Sequence, residues 1–252
     1  MGKYLVISEV RDGELRNVSF ENIAAAKQID ESNEVVAVVL GDGELESLGQ
    51  ELIQYGADKA VVVQHENLKN YTSDGHTQAV MAVIDQEDPD GIVLGHTSEG
   101  KDLSPRIASK LDSGLISDVT QIEGSGDDVK FVRPIYSGKA FEKKVIKDGK
   151  TFITIRPNNI APLEKDESRS GDVERVDVDI KDLRTTIKEV IRKASEGVDL
   201  SEANVIVAGG RGVKSKEGFD PLYELADVLG GAVGASRGAA DAGYCDYSLQ
   251  IG

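Results

Sequence analysis

The glycine-rich segment that follows the strand predicted at 203–208 carries the residues best suited to bind a charged ligand. Residues 209–212 read Gly-Gly-Arg-Gly. Glycines at a strand exit let backbone N–H groups approach a phosphate, and the Arg211 guanidinium can bind it through two hydrogen bonds. The segment is not a dinucleotide fingerprint, because Ser215 stands where that motif needs Gly or Ala. It is not a P-loop either, because Val213 stands where Gly must precede Lys and Ser. A tight turn that binds nothing is an equally good interpretation.

A second small-residue loop, residues 234–238, matches the G-x-S-x-G pattern of hydrolase nucleophiles. A hydrolase of that type needs a histidine after its serine. All three histidines instead precede the loop: His65, His76 and His96. We therefore interpret the loop as one that presents the Ser236 hydroxyl and the Arg237 guanidinium. Two such loops at neighbouring strand ends would define one crevice, which is the usual ligand position in an open α/β sheet.

The histidines and the single cysteine indicate neither a metal site nor an internal disulfide. The histidine spacing is irregular, and no cluster of cysteines or acids accompanies it. The segment 95–100, which contains His96, could bind a ligand after its strand, although we favour an ordinary loop between strand and helix. Cys245 has no partner cysteine, which indicates a reducing compartment.

The composition excludes several classes of protein. The chain has 252 residues, with 29 Lys and Arg against 45 Asp and Glu, and a formal net charge of -16. That charge argues against nucleic acid and against anionic membrane surfaces as partners, because both are bound through Lys and Arg. No apolar run approaches the ~20 residues of a membrane span, and the N-terminus lacks the features of a targeting peptide. We expect a soluble, cytoplasmic protein without membrane insertion.

Strands and helices alternate through the first hundred residues. Four short, almost wholly apolar runs predict strands that are buried on both faces of a parallel sheet: Tyr4–Ile7, Val35–Leu40, Ala60–Val63 and Ile92–Leu94. Amphipathic segments predict helices between and after them, the first capped by Ser19: Phe20–Asp30, Glu44–Tyr55, Ser73–Gln86 and Asp102–Leu111. This alternation predicts βαβ units in an α/β fold with a doubly wound, mainly parallel sheet.

The pattern changes after residue 117. Four short runs joined by Gly- and Asp-rich turns predict a small antiparallel extension: Val119–Ile122, Val129–Pro134, Phe141–Ile146 and Thr151–Ile155. The alternating run 173–180 predicts an edge strand. We place an N-terminal domain at 1–185, a linker at 186–200 and a second α/β domain at 201–252. The second domain has a helix at Asp220–Leu229 and a strand at Gly231–Gly234, too few elements for a complete sheet.

The ordered motifs of the second domain resemble the alpha subunit of electron transfer flavoproteins. They are Gly-Gly-Arg-Gly-Val-Lys-Ser at 209–215, Leu-Tyr-Glu-Leu-Ala at 222–226, Val-Gly-Ala-Ser-Arg at 233–237, Asp-Ala-Gly-Tyr at 241–244 and Gln-Ile-Gly at 250–252. The first domain agrees more loosely through 101–106, 116–119 and 133–138. The resemblance covers essentially the whole chain.

The resemblance implies an adenine-nucleotide-hydrolase-like first domain and a FAD-binding second domain, in a heterodimer with a beta subunit that holds AMP. It implies an electron carrier and not a substrate-converting enzyme. Such carriers take electrons from flavoprotein dehydrogenases, including the acyl-CoA dehydrogenases of fatty acid β-oxidation, to a membrane quinone oxidoreductase or another acceptor. An electron-bifurcating member with a second FAD is the alternative. A non-redox module that binds a nucleotide on the first domain is weaker, because no glycine-rich phosphate loop follows its strands.

The resemblance also assigns six FAD-binding residues. Arg211 would lie on the diphosphate side and Arg237 over the flavin ring, and the others are Ser236, Gln250, Ile251 and Gly252. Members of the family continue past residue 252 with a further FAD-binding segment. The resemblance therefore implies a C-terminally truncated chain with impaired FAD binding. A carrier needs little acid–base machinery, because the cofactor supplies the redox chemistry.

Overall fold

The computed structural model describes residues 2–190, 200 and 203–251. The chain forms two compact units, Met1–Lys188 and Glu189–Gly252. Residues 191–199, which belong to the linker expected at 186–200, lie outside the described residues. Among the described helices, none has the length and apolar composition that a membrane crossing requires.

The first unit is built from strands and helices that alternate along most of its length. In chain order its elements are β1 (Lys3–Ile7), β2 (Val10–Arg11), β3 (Glu14–Leu15), α1 (Asn17–Ile29), β4 (Glu34–Gly41), α2 (Glu46–Gln54), β5 (Lys59–Gln64), α3 (Ser73–Glu87), β6 (Gly91–Gly95), α4 (Ser98–Lys110), β7 (Ile116–Val119), β8 (Gln121–Glu123), β9 (Lys130–Ile135), β10 (Ala140–Lys144), β11 (Thr151–Ile155) and β12 (Asp172–Arg175). Seven strands form one wholly parallel sheet in the spatial order β12-β5-β4-β1-β6-β11-β7. The predicted doubly wound parallel sheet is confirmed.

Successive side chains of the central strands enter two different cores. Tyr4 and Val6 of β1 pack on one face of the sheet with helices α1 and α2. Leu5 and Ile7 pack on the other face with α3 and α4. Strands covered on both faces need apolar residues at every position, and this is why they read as unbroken apolar runs instead of alternating ones.

The prediction that Thr151–Ile155 belongs to the antiparallel extension is wrong. This segment is β11, which lies inside the parallel sheet between β6 and β7. Phe152, Ile153 and Ile155 are all fully buried, which is typical of a central strand covered on both faces. The antiparallel extension is a separate sheet of three strands in the order β10-β9-β8. The predicted edge strand is confirmed as the shorter β12, which pairs only with β5.

Three helices begin at residues other than those predicted: α2 begins two residues late, at Glu46, and α1 and α4 begin early. Helix α1 begins at Asn17, and Ser19 lies inside its first turn instead of capping it. The Ser19 hydroxyl accepts a hydrogen bond from the Glu9 N–H at 3.0 Å and donates one to the Glu9 carbonyl at 3.3 Å. Helix α4 begins four residues early, at Ser98, because the Thr97 hydroxyl accepts from the Gly100 N–H at 3.1 Å and caps it there.

The second unit contains a small two-stranded parallel sheet with helices beside it. Its elements are β13 (Ile206–Gly209), α5 (Asp220–Leu229), β14 (Ala232–Ala235) and α6 (Arg237–Asp241). Helix α5 has the predicted bounds, and Pro221 lies in its first turn. Phe219, Ala226 and Val233 are among the buried residues that join helix to sheet.

Replacement of Gly100 by alanine is expected to destabilise the first unit. A Cβ at this position would overlap the carbonyl oxygen of Gly95 at the end of β6. Helix propensity alone would favour alanine here by roughly 1 kcal/mol. The overlap should reverse that sign and lower the free energy of unfolding by about 2 kcal/mol. Urea denaturation measures the change. The control is Gly43→Ala, where a Cβ would meet nothing within 4 Å; equal stabilities of the two variants would contradict the prediction.

Acidification is expected to destabilise the fold through His76. This side chain is buried in α3, with its ring tilted by 53° against the Tyr71 ring. Burial lowers its pKa to about 4, although the backbone hydrogen bond with Thr72 acts in the opposite direction. In the unfolded chain this histidine takes up a proton near pH 6.5, whereas in the folded protein it stays neutral down to about pH 4. Its contribution to the free energy of unfolding is therefore fully present above pH 6.5 and is lost as the pH falls towards 4. Between pH 7 and pH 5 the free energy of unfolding should fall by about 2 kcal/mol through this group.

The His76→Gln variant should lose that part of the pH dependence, which urea titrations at the two pH values would measure. His65→Gln serves as the control, because the His65 ring instead accepts a hydrogen bond from the Asn67 N–H at 3.1 Å in a neighbouring turn. A His76→Gln variant with the pH dependence of the unsubstituted protein would refute the assignment.

Candidate functional site

The two glycine-containing turns of the second unit lie side by side. Strands β13 and β14 are parallel, and Gly209 is paired with Ala235 at their carboxyl ends. The Ser236 N–H continues the pairing by donating to the Gly209 carbonyl at 2.9 Å. The chain therefore leaves both strands at the same edge, as expected for ligand-binding turns in a parallel sheet.

The first turn presents Arg211 to solvent. Gly210 is extended, residues 211–213 form a single 3-10 turn, and Lys214 closes it in the left-handed region with φ +67°. The Val213 N–H donates to the Gly210 carbonyl at 3.1 Å. Gly209 is required at the strand end, because a Cβ there would lie 2.6 Å from the Phe219 ring. The turn is thus fixed by packing beneath it, and its arginine is exposed.

The second turn packs directly against the first. Ser236 precedes helix α6, and Gly238 lies in its first turn. A Cβ on Gly238 would lie 3.1 Å from Cγ of Arg211, and one on Gly210 would lie 3.7 Å from the Ser236 Oγ. The aliphatic part of Arg211 therefore lies against α6. The glycines allow the two backbones to approach more closely than larger residues would.

A third segment joins the same edge. Gln250 forms a parallel bridge with Ala235, and the Ile251 N–H donates to the Ala235 carbonyl at 2.9 Å. Of the six residues assigned from the sequence, five thus lie at this edge: Arg211, Ser236, Arg237, Gln250 and Ile251. Gly252 lies outside the described residues.

Two residues that the sequence reasoning missed contact or support Arg237. The Arg237 side chain is 78% exposed, and its Nε lies 3.4 Å from Oδ2 of Asp241. The Tyr247 hydroxyl donates to Oδ1 of Asp241 at 3.2 Å, which raises the pKa of Tyr247. The spacing of four residues within a helix could have indicated the arginine–aspartate pair. No local pattern links Tyr247 to it.

The corresponding strand ends of the first unit are lined with carboxylates. Glu9 follows β1 and is buried, with its Oε2 held by Arg16 at 2.6 Å and its Oε1 by the Thr97 hydroxyl at 2.5 Å. Glu99 lies near it, and burial together with the Glu9 charge raises the pKa of Glu99. Buried carboxylates here would repel a phosphate group.

His96 is held within a network of the first unit. Its Nδ1 lies 2.9 Å from the Thr154 hydroxyl and its Nε2 lies 3.7 Å from Asp118. Arg156 binds both oxygens of Asp118, at 2.8 and 2.6 Å. Burial lowers the pKa of His96, whereas the Arg156 hydrogen bonds lower that of Asp118 against the effect of its burial. Among the described residues, no group of three or more histidines, cysteines or acids is placed to hold a metal ion.

Both units match models of one protein family. Residues 4–181 match the electron transfer flavoprotein domain, and residues 199–252 match the electron transfer flavoprotein FAD-binding domain.

Several curated proteins are similar over nearly the whole chain. The electron transfer flavoprotein subunit alpha of Bacillus subtilis is 59% identical over 99% of this chain and 77% of its own length. The subunit of the same name from Thermoanaerobacterium thermosaccharolyticum is 37% identical, over 98% and 76%. The LctC subunit of the lactate dehydrogenase (NAD(+),ferredoxin) of Acetobacterium woodii is 33% identical, over 96% and 59%.

Proposed function

The chain belongs to the family of electron transfer flavoprotein alpha subunits, and on that premise we propose which partners and residues it uses. Members of this family are electron carriers that pair with a beta subunit. We propose that this one accepts electrons from flavoprotein dehydrogenases such as acyl-CoA dehydrogenases and passes them to a membrane quinone oxidoreductase, from the cytoplasm. The beta subunit would hold the AMP.

The FAD-binding domain implies FAD as the cofactor. The edge formed by the three segments suits this group for three reasons. Two guanidiniums, Arg211 and Arg237, are exposed on it. Gly210 and Gly238 leave room for a close approach to the backbone. The Ser236 hydroxyl lies between the two turns and can donate or accept a hydrogen bond.

We assign each residue a role from its charge and position. Arg211 binds the diphosphate, because a guanidinium matches phosphate oxygens with two parallel hydrogen bonds. Arg237 places a permanent positive charge beside the flavin ring, since its guanidinium keeps its proton at any physiological pH. Gln250 and Ile251 contribute side chain and backbone from the third segment. FAD, when bound, supplies the electron transfer itself.

A single observation supports this reading most strongly: Arg211 and α6 are in contact although they are far apart in the chain. The hypothetical Gly238 Cβ would lie 3.1 Å from Arg211 Cγ. Arg211 thus lies beside the helix that carries Arg237, and this supports the proposal that the two guanidiniums serve one extended anionic ligand. We further propose that the functional domains divide at 1–185 and 201–252 with 186–200 as linker.

Two alternatives have less support. An electron-bifurcating role would fit the likeness to LctC, but that likeness is 33% against 59% for the Bacillus subtilis alpha subunit. A nucleotide-binding module on the first unit would need a phosphate site at the ends of β1 and β6. Glu9 and the nearby Glu99 make that crevice acidic.

Co-expression with the beta subunit of the same organism tests the proposed function. A purified heterodimer supplied with excess FAD should be yellow, with the absorption bands of bound flavin, and acyl-CoA dehydrogenase with its substrate should bleach them. A bifurcating member would instead carry two flavins per heterodimer. A colourless heterodimer that takes up no added FAD would refute the assignment of the site.

Arg237→Ala in the flavin-loaded heterodimer should lower the potential at which the flavin accepts its first electron. Loss of one adjacent unit charge predicts a change on the order of 100 mV, because the anionic reduced form loses its counter-charge. Spectroelectrochemical titration measures it. Arg237→Lys is the control: it keeps the positive charge, so the flavin potential should change much less than in Arg237→Ala. An unchanged potential in Arg237→Ala would remove Arg237 from this role.

A further inference from the structure

The first unit contains a cationic cavity. It has a volume of about 370 Å³ and lies between α3, α4 and the segment 181–184. Four cations and two acids line it: Arg106, Lys110, Lys181, Arg184, Asp74 and Asp182. An excess of positive charge is unusual in a chain with a net charge of -16. We propose that this cavity, named here the α3–α4 cavity, binds a phosphate group.

The cations of the α3–α4 cavity are not fully neutralised within the protein. For Lys110 and Arg184, the described residues provide no ion-pair partner. Arg106 contacts Asp102 through Nε at 3.3 Å, and Lys181 pairs with Asp179. One of the two lining acids is already engaged, because Oδ2 of Asp74 accepts the Arg184 N–H at 3.1 Å. An anion would therefore meet two cations that lack acidic partners in the described chain, and two more beside them.

Hydrogen bonds to α3 hold the segment 181–184 in place. The Gln78 side chain donates to the Lys181 carbonyl at 2.8 Å and accepts from the Lys181 N–H at 3.0 Å. Arg106 and Lys110 are four residues apart on α4 and so project from the same face of that helix. The four cations thus come from two elements with fixed backbones, which is how a preformed site differs from scattered surface charges.

The buried hydroxyl of Thr77 is a second, independent observation in favour of a ligand in the cavity. It lines the cavity and is only 4% exposed, and its hydroxyl has no hydrogen-bond partner among the described residues. Leaving a buried hydroxyl unpaired costs free energy, and most such groups in folded proteins are paired. A bound phosphate would offer an acceptor oxygen on this wall of the cavity.

The residue types and the volume define the ligand. Guanidinium groups bind carboxylates and phosphates alike, but a phosphate carries up to two negative charges and so gains more from several cations than a monovalent carboxylate does. A cavity of this volume holds more than an inorganic ion, so a small phosphate ester suits it as well as free phosphate. The bound group would join α4 to the segment 181–184, which leads to the end of the first unit at Lys188. This proposal does not depend on FAD binding.

Titration of the protein with inorganic phosphate and, separately, with glycerol 3-phosphate tests the proposal. Both titrations are followed by isothermal calorimetry and phosphorus NMR in a chloride buffer of constant ionic strength. Saturable binding of either probe is expected. Tighter binding of the ester would identify an organic phosphate, and tighter binding of the inorganic ion would identify free phosphate.

The double variant Lys110→Gln and Arg184→Gln should weaken binding at least tenfold, because each lost charge removes a charge-assisted contact. The control is Lys139→Gln with Lys147→Gln, which changes the net charge equally at exposed positions of the antiparallel extension and its following turn. Thr77→Val tests the wall hydroxyl without changing charge and should weaken binding severalfold. Circular dichroism confirms that each variant folds. Absence of saturable binding, or equal weakening by the control pair, would overturn the proposal.

Discussion

The candidate site depends on the parallel pairing of β13 and β14. Parallel strands end at the same edge, so the turns that follow Gly209 and Ala235 must leave the sheet together. The two turns then come so close that a Cβ on Gly238 would lie 3.1 Å from Cγ of Arg211. Gln250 and Ile251 reach the same edge by pairing with Ala235. Two pairings therefore bring three segments together, Gly209 with Ala235 across 26 residues and Ala235 with Gln250 across 15.

Parallel strands also end at a common edge in the first unit, but there the strand ends carry carboxylates instead of arginines. The ends of β1 and β6 would be expected to form a ligand crevice, since strand order changes direction there. Glu9 occupies this position, bound by Arg16 and Thr97, and Glu99 adds a second carboxylate. A shared architecture thus leaves one crevice fit for an anion and the other filled by an internal ion pair. This difference agrees with FAD binding by the second domain of the family.

An electron carrier places unusual demands on its protein. It must hold a redox cofactor in a defined electrostatic environment, but it needs no nucleophile or proton relay of its own. On the proposed assignment, the exposed Arg237 would meet this demand with a charge carried by a short helix, next to Asp241 and, through it, Tyr247. The buried residues of the second unit, such as Phe219 and Val233, serve chiefly to keep the turns in register.

The sequence by itself determined the parallel core and the polar turns. Short, β-branched, unbroken apolar runs such as Val35–Leu40 are typical of strands covered on both faces, and glycines at strand exits indicate turns. The position of Thr151–Ile155 was beyond such reasoning, because an apolar run of five residues does not encode its neighbours. The contact of Arg211 with α6, the Tyr247–Asp241 bond and the α3–α4 cavity were decided only by tertiary structure. Arg211 and α6, like the elements around the cavity, are distant in the chain and meet only through the packing of whole elements. Asp241 and Tyr247 are six residues apart, but no local pattern predicts their hydrogen bond.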